Sequence, residues 1–107
     1  NTLGWNTYAA MALPGSQLYA EAINKKIPVP EKYDEFSFHS YSTKPLPTEY
    51  LKAYEILQLR DQKFNEYFKD QNFLNKIEKK FGEKAVKNIL NMTKLKLKRE
   101  IIEKKTY

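Results

Sequence analysis

The sequence predicts a mainly α-helical chain that opens with a single β-strand. Three observations predict it. Aromatic and aliphatic residues recur at helical spacing through the second half of the 107 residues. Four prolines, Pro28, Pro30, Pro45 and Pro47, keep the middle of the chain out of helix. The stretch WNTYAAMALPGSQLYAEA, Trp5 to Ala22, reads as an apolar strand, a Pro-Gly corner and the first turns of a helix.

The elements follow in order. A strand is expected from about residue 5 to Leu13. Period two places Asn6, Tyr8 and Ala10 on one face and Thr7, Ala9 and Met11 on the other. Neither face is strictly polar, as in a parallel strand covered on both sides. Ser16 stands as an N-cap ahead of a short helix to Lys25, with Leu18, Tyr19, Ala22 and Ile23 as its apolar stripe. A strand that turns at Pro-Gly directly into a helix is half of a β/α unit, whose strand ends are where ligands usually sit. Residues 26–47 are irregular but carry Tyr33, Phe36, Phe38 and Tyr41, rings expected to pin the segment across a surface. The spacing predicts a helix from Thr48, as its cap, to about Lys69, with Tyr50, Tyr54, Leu57, Phe64 and Phe68 on one side. Asp70-Gln71-Asn72 is a break. Phe73, Ile77 and Phe81 then form an i, i+4 series ended by Gly82 at the C′ position. The last helix is expected from Glu83 to about Lys104, with Val86, Ile89, Leu90, Thr93, Leu97 and Ile101 inward. This divides the chain into residues 1–25, 26–47 and 48–107.

Composition narrows the chemistry. A content of 41% hydrophobic and 14% aromatic residues allows a modest core and argues against disorder, despite 30% charged residues. Without cysteine there is no disulfide, no thiolate nucleophile and no metal or cluster site on protein thiolates. The longest apolar run falls well short of the about 20 residues a membrane-spanning helix needs, so no membrane partner is expected and a cytoplasmic setting is. The net charge of +6 is concentrated at one end: Lys76 to Tyr107 holds 11 basic and 4 acidic residues, the preceding 75 residues 8 and 9. Only Arg60 and Arg99 are arginine. Nucleic-acid readers favour arginine forks, so the lysines read as a solvated face. His39 is the only histidine, which leaves no transition-metal set and no Ser-His-Asp triad to argue. Gly4, Gly15 and Gly82 are isolated, so there is no phosphate loop and no dinucleotide fingerprint. No catalytic and no metal-binding residue is assigned.

Five segments in order carry a resemblance: WNTYAAMALPGSQLY, FHSYSTKPLPTEYL from Phe38, LRDQKFNEYF from Leu59, KIEKKFG from Lys76 and MTKLKLKRE from Met92. Together the chain resembles the C-terminal part of radical S-adenosylmethionine enzymes of the group with an N-terminal cobalamin-binding domain. The resemblance implies a fold class in which residues 1–25 are the last strand and helix of a TIM-type barrel. Residues 26–47 are then a wrap over it, and 48–107 a helical C-terminal extension. Such enzymes use a 4Fe–4S cluster on a CxxxCxxC loop to cleave S-adenosylmethionine to a 5′-deoxyadenosyl radical, and many carry methyl groups on cobalamin. With no cysteine, this chain holds none of these cofactors and is expected to be an inactive C-terminal fragment whose partners are the upstream barrel and cobalamin domain.

By position, the resemblance places Met11, Ala12 and Leu13 beside the S-adenosylmethionine adenine. Asn6 and Tyr8 would face the barrel lumen toward substrate, with His39 and Tyr41 as a lid. An orphan strand also exposes an edge, so a homodimer through residues 3–13 is expected. The alternative is a free-standing basic helical module binding nucleic acid or an acidic protein partner.

Overall fold

The computed structural model describes residues 3–107. The protein is mainly helical: α1 (Gln17–Asn24), α2 (Ala53–Lys69), α3 (Gln71–Phe81), α4 (Glu83–Lys94) and α5 (Glu100–Lys104), with a 3-10 turn at Tyr33–Phe36. The chain divides into two compact units. One is the described part of Asn1–Thr7 together with Asp61–Lys96; the other is Tyr8–Arg60 together with Leu97–Tyr107.

The first unit has the aromatic core. Phe68, Phe73, Leu74 and Ile77 are buried, and Phe64, Tyr67, Val86, Ile89 and Leu90 pack on them. The Phe68 and Phe73 rings meet edge-on at 5.7 Å, and the Tyr67 ring lies 4.9 Å from Phe73. Trp5 stacks on Tyr67 at 5.8 Å. Burial of each such side chain contributes about 2–3 kcal/mol. Asp70 starts α3, its Oδ1 accepting the Phe73 amide at 2.9 Å. Gly82 ends it at φ +84°, a left-handed conformation that costs glycine nothing. The same glycine precedes α4, and α3 packs against α4.

The second unit has two smaller apolar clusters: Ala12, Ala22 and Leu46, and Ala53, Leu57 and Ile101. Leu13 to Ser16 is a β-turn, closed by the Ser16 amide on the Leu13 carbonyl at 3.1 Å. Pro14 and Gly15, at φ +85°, fill its two central positions in the order a type II turn requires. Ser16 then caps α1, its Oγ accepting the Tyr19 amide. Of the expected stripe on α1, Ala22 is buried while Leu18 and Ile23 stay exposed.

Four expectations need correction. No β-strand forms among the described residues, so the strand from residue 5 to Leu13 is absent as such; Asn1 and Thr2 of the expected first segment lie outside the described residues. Ala9 and Met11 are nevertheless buried while Tyr8 and Ala10 are exposed, so the period-two pattern persists. A strand exists through its ladder, and the Leu46 amide on the Ala10 carbonyl at 2.7 Å does not extend into one. Helix α2 begins at Ala53 rather than after Thr48. Thr48 instead closes its own turn: its amide donates to the Leu51 carbonyl at 2.9 Å and its Oγ1 accepts the Leu51 amide at 3.0 Å. The last helix is broken into α4 and α5. Thr93 Oγ1 donates to the Leu90 carbonyl at 2.7 Å, and the chain leaves the helix at Lys94. Leu95 and Arg99 have extended backbone, matching the Lys-Leu alternation between them. Tyr33, expected to pin the irregular segment, is 96% exposed.

Candidate functional site

The site is built on the loop that carries His39. Its base is the 3-10 turn, whose Glu35 is only 5% exposed. The Glu35 carboxylate accepts the Glu31 amide at 2.7 Å, the Lys32 amide at 3.1 Å and Lys44 Nζ at 2.7 Å. Burial alone pushes this carboxyl pKa up, but the Lys44 hydrogen bond and the two amides outweigh it and hold it at about 2, against 4.5 ordinarily. The Glu35 hydrogen bond in turn pushes the Lys44 ammonium up. Ser40 Oγ donates to the Asp34 carbonyl at 2.6 Å, and Ser42 Oγ to the Asp34 carboxylate.

Residues far along the chain then tie the loop down. Arg99 is 2% exposed, and its Nη1 donates to the Phe38 carbonyl at 2.6 Å and to the Ser40 carbonyl at 3.4 Å. The Glu100 amide donates to the Tyr41 carbonyl at 2.8 Å. The Tyr41 hydroxyl donates to Glu103 Oε2 at 2.8 Å, which pushes its pKa up.

Between the loop and its supports lies a cavity of about 10 Å³, room for about one water. Tyr8, Phe38, His39, Leu57, Arg60 and Arg99 are among its walls. The Tyr8 ring stands 4.8 Å from Phe38 and edge-on to His39 at 6.2 Å. The walls combine aromatic faces, an imidazole and two permanent cations. No Asp or Glu lines it. Among the described residues no group of three or more His, Cys, Asp or Glu is arranged to hold a metal ion, and no helix is long and apolar enough to cross a membrane.

Of the residues singled out from sequence, Tyr8 and His39 come together here. Tyr41 is turned away to Glu103. Asn6 is exposed and belongs to the other unit. Met11 and Ala12 are buried, Ala12 fully so and packed with Ala22 and Leu46, which leaves their side chains in the core. Leu13 is exposed, and its carbonyl accepts both the amide and the hydroxyl of Ser16. Arg60 and Arg99 were not singled out as site residues. The signal that marks them is that they are the chain's only two arginines among 19 basic residues, and both line one cavity with the only histidine.

Compared with known proteins, the chain matches no family model, no curated protein and no solved structure.

Proposed function

We propose that this chain is the C-terminal portion of a radical S-adenosylmethionine enzyme of the cobalamin-binding group, packed on a barrel supplied from upstream and inactive alone. The observation that carries the reading is the five resembling segments in family order across nearly the whole sequence. It agrees with a type II Pro-Gly turn that leads straight into a Ser16-capped helix. It also agrees with a period-two burial pattern at residues 8–11 that lacks a ladder, as a barrel strand would without its neighbours.

In this reading the cluster and S-adenosylmethionine supply the radical chemistry, and the protein supplies position. The exposed Ala10 and Leu13 flank the buried Met11 and Ala12 at the end where the resemblance places the adenine. Tyr8 and His39 face the substrate side, the Tyr8 ring edge-on to the imidazole. Arg99 fixes the loop that carries His39. The exposed Tyr8 and Leu13, in one unit, mark a surface that a barrel neighbour, or a second copy of the chain, would cover.

The test uses the complete polypeptide that contains these 107 residues, loaded anaerobically with iron and sulfide and then reduced. It is expected to convert S-adenosylmethionine to 5′-deoxyadenosine, while the 107-residue chain is not. A reading frame without a CxxxCxxC triad, or a loaded protein that leaves S-adenosylmethionine intact, overturns the proposal. Sedimentation of the 107-residue chain tests the edge separately, with a dimer expected at micromolar concentration.

A further inference from the structure

We infer that the unit built on α3 and α4 carries a docking groove for an acidic amphipathic segment of a partner protein. The groove has a volume of about 420 Å³ and lies within that unit. Its apolar floor comes from Phe73, Ile77 and Phe81, one turn apart along α3, with Leu3 beside them. Phe73 and Ile77 also serve the core. Phe81 is 57% exposed and Leu3 64% exposed. Apolar groups of this size gathered in one concave place mark a binding surface rather than scattered surface residues.

The charge around that floor selects the occupant. Lys76, Lys79 and Lys80 line the groove, and no Asp or Glu does. None of the three lysines enters an ion pair among the described residues. Glu78, the one acid on α3, lies outside the lining. A floor of leucine and phenylalanine beside an uncompensated positive rim is complementary to a helix with apolar anchors at i and i+4 and carboxylates flanking them. Nucleic acid is a poorer match: no arginine fork lines the groove, and most of its surface is apolar rather than a track of cations. The inference stands on this unit alone and does not depend on the radical-enzyme reading.

The experiment titrates the full 107-residue chain into a fluorescein-labelled helical peptide. The peptide carries leucines at i, i+4 and i+7 with glutamates on either side; a second peptide has lysine at every glutamate. Saturable micromolar binding of the acidic peptide is expected, weakening as salt is raised, with none of the basic peptide. The double substitution Lys76→Glu and Lys80→Glu is expected to weaken binding about tenfold or more. Phe81→Ser is expected to weaken it at low and high salt alike. Both changes fall on exposed side chains, so far-UV circular dichroism and the melting temperature are expected to stay as in the parent chain. Failure of the acidic peptide to bind, binding untouched by these substitutions, or tighter binding of oligothymidylate or phosphatidylserine vesicles overturns the inference.

Discussion

The two units of this protein are held together by different means. The unit around α3 and α4 is an aromatic and aliphatic core whose members lie within 27 residues of one another, from Phe64 to Leu90. The unit around the His39 loop has small apolar clusters and relies on charged groups that reach across the sequence. Arg99 to Phe38 spans 61 positions, and Tyr41 to Glu103 spans 62. The first kind of stability is non-directional and grows with buried area. The second is directional, and at Arg99 it fails when the guanidinium is removed, because the part-buried Phe38 and Ser40 carbonyls lose their donor.

Phe73→Ala gives the largest effect. It opens a cavity in the aromatic core and is expected to cost about 4 kcal/mol, read by urea titration with Trp5 fluorescence. Trp5 is the only tryptophan and stacks on Tyr67 within that unit. Equal loss of exchange protection at the Leu46 and Glu100 amides of the other unit would dissolve the contrast.

Arg99→Met keeps the aliphatic stem and removes the guanidinium. It is expected to cost about 3 kcal/mol. Hydrogen exchange should quicken first at Glu100, whose amide bonds the Tyr41 carbonyl, while Trp5 emission stays unchanged. A loss confined to the aromatic core would assign Arg99 to the wrong unit.

Glu35→Gln comes next, at about 2 kcal/mol near neutral pH. The folded pKa of Glu35 is held at about 2, below the ordinary 4.5. Between these values the unfolded chain binds the extra proton, so this contribution is complete above 4.5 and is lost as pH falls toward 2. The parent chain should lose that stability in acid, and Glu35→Gln should flatten that part of the profile. The smallest effect is Asp70→Ala, which removes the α3 cap and is expected to cost about 1 kcal/mol in the same urea titration.

The contrast between the units also explains what was legible in the sequence. Asp70, the Phe73-Ile77-Phe81 series and Gly82 announce α3 because caps and helical periodicity are local signals. Ser16 after Pro14-Gly15 announces α1 for the same reason. The start of α2 was not legible, since Thr48 has two local uses for its hydroxyl and only the folded chain selects the turn. The break after Lys94 was written in the Lys-Leu alternation, but the inward spacing of Thr93, Leu97 and Ile101 masked it. In the candidate site, Tyr8 and His39 were singled out only through the proposed family resemblance, and the structure brings their rings together. The roles of Arg99 and Glu35 were not, because their partners include backbone groups, and every residue offers those alike.

Residues 95–99 lead out of α4 into the segment that pins the His39 loop. Leu95 is 80% exposed, and Lys94, Lys96 and Lys98 are all exposed beside it. Extended, solvated and rich in lysine, this link is shaped for trypsin. A cut after Lys98 would leave a short peptide whose contacts include the Arg99 guanidinium, the Glu100 amide, the Ile101 side chain and the Glu103 carboxylate. Trypsin is expected to cut the protein here into two pieces that stay associated, and their affinity would read the strength of these pins.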